Sequence, residues 1–345
     1  MQTLTITKPD DFHLHLRDGD EMKSVVMDSV RCFARAVVMP NLKPPVVTTL
    51  QATEYRERIL ASIPAGVSFQ PLMTLYLTDS TTPEEIERAH QSGIIYGVKY
   101  YPAGATTNSE NGVTDINNVF TVLEKMLELD LPLLIHGEVT DDDIELFDRE
   151  QVFIERVLDS LIDRFSDLRI VFEHITTRQA VEFVRNGPDT LAATITPQHL
   201  LLNREALYTN GKINPHNYCL PVLKAEEHRE AVLDAAISGH PRFFLGTDSA
   251  PHAKTSKESA DCCAGIYSAH SAIELYATVF ESAGCLDQLE PFASHYGADF
   301  YRLPRNETKI TLEKKEWIIP DTLSFGEELI VPFFAGNQCT WKLQQ

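Results

Sequence analysis

The chain has 345 residues, 43% hydrophobic and 23% charged, a globular composition that excludes a disordered polymer. Fifty Asp and Glu against 30 Lys and Arg give a net charge of -20. That balance argues against nucleic-acid binding and against adhesion to an anionic membrane, both of which need a basic surface.

No apolar run approaches the ~18–20 residues needed to span a bilayer. The start, Met1 to Phe12, lacks the basic and apolar regions of a secretory signal. The cysteines are Cys32, Cys219, Cys262, Cys263, Cys285 and Cys339, with no CxxC pair. This pattern predicts reduced thiols in a cytoplasmic protein.

Along the chain, short apolar runs alternate with longer amphipathic stretches. Asp11–His15 precedes the helical stretch Glu21–Phe33, and Ala36–Met39 precedes Leu50–Ser62. Ser68–Leu77 precedes Pro83–Ser92, where Thr82 offers a cap and Pro83 a first-turn proline. Ile94–Tyr100 precedes Asp115–Leu129, whose Val119, Val122, Leu123 and Met126 share one side. Leu133–His136 precedes Glu150–Phe165, and Ile170–His174 precedes Arg178–Arg185. Leu191–Ile195 precedes Ala225–Ser238, and Phe243–Gly246 precedes His270–Ala283. Continuous apolar runs of this length suit parallel strands buried on both faces. Eight strand–helix pairs predict an α/β fold, a (β/α)8 TIM barrel. The rival is a doubly wound open sheet, but no GxGxxG follows the first run. Asp287–Tyr301 reads as one more helix. Beyond it Pro304, Pro320 and Pro332 interrupt the pattern, predicting a helical or irregular tail over 302–345. Residues 1–345 thus read as a single domain, with the barrel over about 4–301 and no separate N-terminal β-domain.

Polar residues sit at the ends of several predicted strands. His13 and His15 are two apart, so on a strand both imidazoles reach one side. His136, His174 and Asp248 close or follow later runs, and Lys99 lies in Gly97-Val98-Lys99-Tyr100-Tyr101. In a barrel all strand C-termini open onto one face, so these residues converge without being near in sequence. Taken singly, each has a plainer reading: a hydrogen-bonded histidine, a capping aspartate, a solvent-facing lysine. An ammonium among metal ligands would be repelled, so a metal reading needs Lys99 neutralised or carboxylated. The order HxH, Lys, His, His, Asp is more specific than its parts.

With these residues the sequence resembles the amidohydrolase superfamily and, within it, the dihydroorotases, nearest the short type of enteric bacteria. The segments that carry the resemblance are Asp11-Phe12-His13-Leu14-His15-Leu16-Arg17-Asp18, Val38-Met39-Pro40-Asn41-Leu42, Gly97 to Pro102, His136-Gly137-Glu138, Phe172-Glu173-His174-Ile175-Thr176-Thr177 and Gly246 to His252. The resemblance implies two Zn2+, bridged by carboxylated Lys99 and a hydroxide. His13, His15 and Asp248 would hold the more buried ion, and His136 with His174 the second. It implies reversible cyclisation of N-carbamoyl-L-aspartate to L-dihydroorotate, the third step of pyrimidine synthesis, with Asp248 as the proton carrier. Arg17, Asn41 and His252 would grip the substrate carboxylate, His15 and His136 would also touch substrate, and the backbones of Leu220 and Ala264 would meet the ring. Thr106 and Thr107 would belong to a lid loop. A homodimer is implied as well. The competing readings are another amidohydrolase such as a hydantoinase or a dipeptidase, where a neutral hydantoin ring needs no carboxylate clamp, a non-catalytic scaffold, which would lose ligands, and a mononuclear deaminase, which would not explain Lys99. His199 and His216 sit near the loop after the seventh run and are read as structural. Cys219, Cys262 and Cys263 are read as buried and inert, and Asp141 to Asp143 as a solvated helix start.

Overall fold

The computed structural model describes residues 2–344. Strand β1 (Thr3–Thr7) precedes the barrel strands β2 (Asp10–Leu14), β3 (Arg35–Val38), β4 (Gln70–Tyr76), β5 (Ile95–Tyr100), β6 (Leu133–Ile135), β7 (Ile170–Phe172) and β8 (Leu191–Ile195). A small hairpin, β9 (Tyr208–Thr209) and β10 (Lys212–Ile213), comes before the last barrel strand, β11 (Phe243–Leu245). The eight barrel strands pair in parallel and in chain order from β2 to β11. The ring closes where Asp248 N donates to His13 O at 2.9 Å and His15 N donates to Ser249 O at 3.1 Å. The predicted TIM barrel is therefore present, with every predicted strand in place to within a few residues at its ends.

Two apolar layers follow from the period-two alternation of the strands. Phe12, Val37, Leu72, Leu134, Val171, Ala192 and Phe244 fill the barrel interior, and Tyr301 stacks on Phe12 beneath them. Leu14, Val38, Leu75, Ile135, Phe172, Ile195 and Leu245 point outward into the layer under the helices. The helices present matching stripes. Helix Pro83–Ser92 begins and ends as predicted, with Thr82 accepting from Glu85 N and Gly93 closing it at φ 67°.

The alternation breaks at two bulges. In β2, the three steps from Asp11 to Leu14 face only the two from Ala36 to Val38. In β5, Ile95 and Tyr96 together face Met73 before Gly97 pairs with Thr74. A bulge reverses the face of everything beyond it. Ile95 packs outward and so do Val98 and Tyr100, which leaves Lys99 pointing inward.

The tail departs from the sequence reading. It is neither helical nor irregular: β12 (Lys309–Ile318), β13 (Leu323–Phe325), β14 (Glu328–Ile330) and β15 (Gln338–Leu343) follow the barrel. β12 lies between β1 and β15 in an antiparallel sheet, and β13 pairs with β14. The prolines punctuate these strands rather than preventing them, since Pro304, Pro320 and Pro332 all fall between elements. Trp341 on β15 is fully buried, and its indole donates to Glu281 at 3.1 Å. Asp141 to Asp143 also differ: they lie in an exposed loop, and the helix begins only at Arg149.

At the seam between the first and last barrel strands, the buried Asp11 carboxylate accepts from Thr247 N at 2.8 Å, Thr247 Oγ1 at 2.6 Å and His13 N at 3.1 Å. Burial pushes its pKa up to about 6, against these donors. Asp11→Ala strands those donors in a dry seam at about 1–3 kcal/mol for each unsatisfied group. Urea unfolding should show a loss of about 2 kcal/mol or more; a midpoint matching the parent would remove Asp11 from this role.

Candidate active site

At the C-terminal end of the barrel, one hollow is lined by His13, His15, Arg17, Asn41, Thr106, Thr107, His136, His174, Leu220, Asp248 and Ala264. These come from five strand ends and three loops, brought together by the barrel alone. Tyr101 and Gly265 line it too. A larger hollow of about 750 Å³ lies on the flank among helices Pro197–Leu201, Glu226–Ile237 and Ala272–Ser282. It carries none of the converging imidazoles, so chemistry, not size, selects the site.

His13 Nε2 and His15 Nε2 are 3.2 Å apart, and both face Asp248 Oδ1, at 3.3 and 3.1 Å. His15 Nδ1 meets Asn41 Oδ1 at 2.8 Å. Burial pulls the His15 pKa down to about 4, against the hydrogen bond that the Asp248 carboxylate accepts. Burial alone would raise the Asp248 carboxyl, but the charge of His13 and the His15 hydrogen bond outweigh it and hold the pKa near about 2. A neutral imidazole beside an ionised carboxylate is the state that ligates a metal. His174 is pushed well below the usual imidazole range, first by burial and then by His136 and His13. Its Nδ1 is buried without a hydrogen-bond partner. The donor set and this orphaned nitrogen fit a divalent cation. Two convergent groups stand out: His13, His15 and Asp248, and His13, Glu173 and His174.

His136 and Lys99 stand apart from those groups. His136 Nε2 faces Glu138 Oε2 at 2.8 Å. Lys99 is fully buried, which excludes the solvent-facing reading, and its Nζ pairs with Glu173. Burial lowers the Lys99 pKa, against the pull of Glu173. Glu173 Oε1 also stands 3.1 Å from His13 Nδ1. A carboxylate on the far nitrogen of a ligating imidazole fixes which nitrogen faces the ion. Glu173 and Glu138 were not singled out from the sequence. Their signal was there: a carboxylate next to a histidine within or just past an apolar run must find a buried partner.

Arg17 is paired with neither Asp18 nor Asp20. Asp18 binds Arg58 at 2.8 Å and Asp20 binds Lys23 at 2.7 Å. Arg17 Nε donates to Pro251 O at 2.8 Å, and its Nη2 donates to His252 Nε2 at 2.9 Å. Tyr55 OH donates to Arg17 O at 2.6 Å. The guanidinium is thereby aimed, and no carboxylate forms an ion pair with it among the described residues. His252 is held well below the usual imidazole range by burial and then by Arg17, so it is a half-buried neutral partner and not a surface histidine.

Arg17, His174 and Asp248 all adopt left-handed backbone, at φ 62°, 44° and 45°. Such positions persist only where the surroundings hold them. Thr194 Oγ1 accepts from His174 N at 2.7 Å. The next turn is gripped by the buried Glu150 carboxylate, which accepts from Thr176 N and Oγ1 at 3.0 and 2.8 Å and from Thr177 N and Oγ1 at 2.8 and 2.6 Å.

The loop after β5 folds over the hollow. Thr107 Oγ1 donates to Ala264 O at 3.1 Å, and Asn41 Nδ2 donates to Thr107 O at 3.1 Å. The free volume beneath is only about 20 Å³, room for a water and not for a ring. His199 bridges Thr196 and Pro221 O, and His216 pairs with Glu258, so both are structural. Cys219 is buried as expected, whereas Cys262 and Cys263 are half-buried.

No protein-family model matches the chain. Among known proteins it is similar to the dihydroorotase of Nitrosomonas europaea, 62% identical over 342 residues, covering 99% of this chain and 98% of the relative. Among solved structures it is similar to dihydroorotase from Saccharomyces cerevisiae in complex with 5-fluoroorotic acid, with TM-score 0.91, 35% identity, and 100% and 99% of the two chains covered. The dihydroorotase of Campylobacter jejuni matches with TM-score 0.91, 36% identity, and 100% and 98% coverage.

Glu150→Gln leaves the turn after His174 with fewer acceptors for the same donors. The expected loss is about 1–3 kcal/mol in thermal or urea unfolding, with a displaced His174 imidazole resonance. An unmoved resonance in a variant of parental stability would show that Glu150 does not hold the turn.

Proposed function

The chain belongs to the dihydroorotase family, and on that premise we propose how its hollow performs the reversible ring closure of N-carbamoyl-L-aspartate to L-dihydroorotate in pyrimidine synthesis. The carrying observation is the pairing of two unlike features at one barrel mouth. A histidine and carboxylate cluster that could hold a cation lies beside Arg17, a guanidinium in no ion pair among the described residues. Both substrates carry a free carboxylate, which a fixed guanidinium grips bidentately. Asn41 and His252 complete that grip. Backbone groups of Leu220 and Ala264 meet the ring, and His15 and His136 border it.

His13, His15 and Asp248 would hold one divalent ion, and His136 with His174 a second. Lys99, its amine biased toward neutrality by burial, would add carbon dioxide at its nitrogen and release one proton to water, and the carbamate oxygens would complete the donor set for the ions. Glu173, released from the ammonium, would stay on His13 Nδ1. Zinc suits these nitrogen and oxygen donors. When bound, such ions would supply Lewis acidity, favouring charge on the ring carbonyl oxygen and loss of a proton from water. Asp248, ionised at neutral pH, takes the proton from the attacking water as the new C–O bond forms. It returns that proton to the ring nitrogen as the C–N bond breaks. In the synthetic direction the same carboxylate removes a proton from the carbamoyl nitrogen. The Thr106 and Thr107 loop must open for substrate to enter and then close over it, excluding water. Family membership supports a homodimer, and six unpaired cysteines suit the cytoplasm. The chain, 1–345, forms one domain.

Two variants test this reading. Arg17→Met should lower kcat/KM for dihydroorotate by about 100-fold or more, the scale of a lost charge-assisted grip; a ring-opening assay with unchanged kcat/KM would sink the assignment. Thr107→Ala should lower kcat by about tenfold, the scale of one lost hydrogen bond, at unchanged metal content by elemental analysis. Metal loss in that variant would count against the lid role.

A further inference from the structure

Lys257 ends the short helix Lys254–Lys257 behind the hollow, and its ammonium is buried with no carboxylate in ion-pair reach among the described residues. Its Nζ donates three hydrogen bonds, all to backbone oxygens: Tyr218 O at 2.8 Å, Cys263 O at 2.8 Å and Gly265 O at 2.7 Å. Three protons meet three acceptors, so the group is fully used.

The two segments it joins matter. One leads through Tyr218 to Leu220, and the other is Cys263-Ala264-Gly265. Leu220 and Ala264 both line the hollow. The oxygens flanking Ala264 are drawn to the amine, while the Ala264 oxygen between them faces the other way. There it accepts from Thr107 Oγ1 at 3.1 Å and meets His252 Nε2 at 3.0 Å. Gly265 N ties the segments again by donating to Tyr218 O at 3.0 Å. At Gly265, φ is 147°, and a Cβ would stand 2.8 Å from His252 Cδ2 and 2.9 Å from Ala250 Cβ. The backbone therefore lies flush against the substrate-facing histidine.

Stability alone is a poor reason for this lysine. Taking an ammonium out of water costs several kcal/mol, and neutral carbonyls offset it less well than a carboxylate. Burial pulls its pKa down to about 8, against the thiols of Cys262, Cys219 and Cys263. A methionine of similar length would fill the space without that cost. What a methionine lacks is three directed donors.

We infer that Lys257 is a positioning residue for the cyclic substrate: its amine sets the spacing and direction of the Leu220 and Ala264 backbones that read the amide edge of the ring. The inference rests on the dihydroorotate reading given above. It does not make Lys257 a catalytic residue, since the amine faces away from the reacting atoms and acts through the two loops.

The test is steady-state ring opening of L-dihydroorotate by the zinc-loaded, full-length protein and its Lys257→Met variant. The expected result is a KM raised about tenfold or more with kcat within about threefold, the pattern of lost uniform binding. Zinc content should be equal in the two proteins. An unchanged KM, or a change confined to the melting temperature, would overturn the inference. Lys257→Gln, which keeps two donors on a shorter arm, is read in parallel and should give an intermediate KM. If neither variant folds, Lys257 is a folding residue and the positioning role is wrong. If the parent protein itself does not open dihydroorotate, the fault lies in the functional reading, and this inference falls with it.

Discussion

Closure of the barrel between β2 and β11 is the constraint on which the rest depends. His13, His15 and Asp248 come from the two sides of that seam, and their atoms meet only because it is shut. The Asp11 carboxylate does the shutting from within, binding the backbone of His13 and both donors of Thr247. Next to it, Asp248 N donates to His13 O. The same short stretch thus carries a structural carboxylate, a seam hydrogen bond and the candidate ligands. A loosened seam would move Asp248 relative to both imidazoles. The convergence of His13, His15 and Asp248 therefore follows from closure rather than from any local motif.

Closure alone would not aim the side chains. With strict alternation, Lys99 would share the outward face of Ile95 and lie among the helices. The bulge opposite Met73 turns it inward, where it meets Glu173. The bulge in β2 likewise lets Phe12 fill the interior while His13, the next residue, also faces inward. Each bulge sacrifices regular pairing at one step and gains a polar group at the barrel mouth. These two irregularities fall at His13 and Lys99, two of the candidate site residues.

The barrel was legible in the sequence because its strands are buried on both faces and read as unbroken apolar runs, each followed by a helix-period stretch. The candidate site was legible because strand ends in such a barrel share one face, so His13, His15, His136, His174 and Asp248 needed no sequence proximity to be grouped. The bulges were not legible, since nothing in Tyr96 or Gly97 announces an extra residue opposite Met73. The tail was not legible either. β12 reads KITLEKKEWI, a charged strand with Leu312 as its one deeply buried side chain, so its alternation is faint. Its prolines suggested interruption where the chain uses them as punctuation. Glu173, Glu150 and Lys257 escaped notice because a buried charge is recognised by its partner, and those partners are backbone groups or side chains distant in sequence.

The net charge of -20 poses a last question, because the substrates are themselves anions. The resolution lies in where the compensating carboxylates are placed. Surface cations are spent on neighbours: Arg58 on Asp18, Lys23 on Asp20, Arg305 on Asp299. Near the hollow, Arg17 and Lys257 bond backbone carbonyls or a neutral histidine instead of a carboxylate, and the buried Lys224 likewise bonds Val222 O. Backbone carbonyls orient a cation without cancelling its charge. Between exposed charges, salt screens attraction and repulsion beyond about 10 Å. Inside the barrel mouth charges are screened far less, so the fixed guanidinium of Arg17 acts there more strongly than the same charge would among the exposed acidic groups. An acidic exterior is therefore no obstacle to anionic substrates, and the choice of a carbonyl and a neutral histidine over carboxylates as partners for Arg17 leaves its charge in place at the mouth.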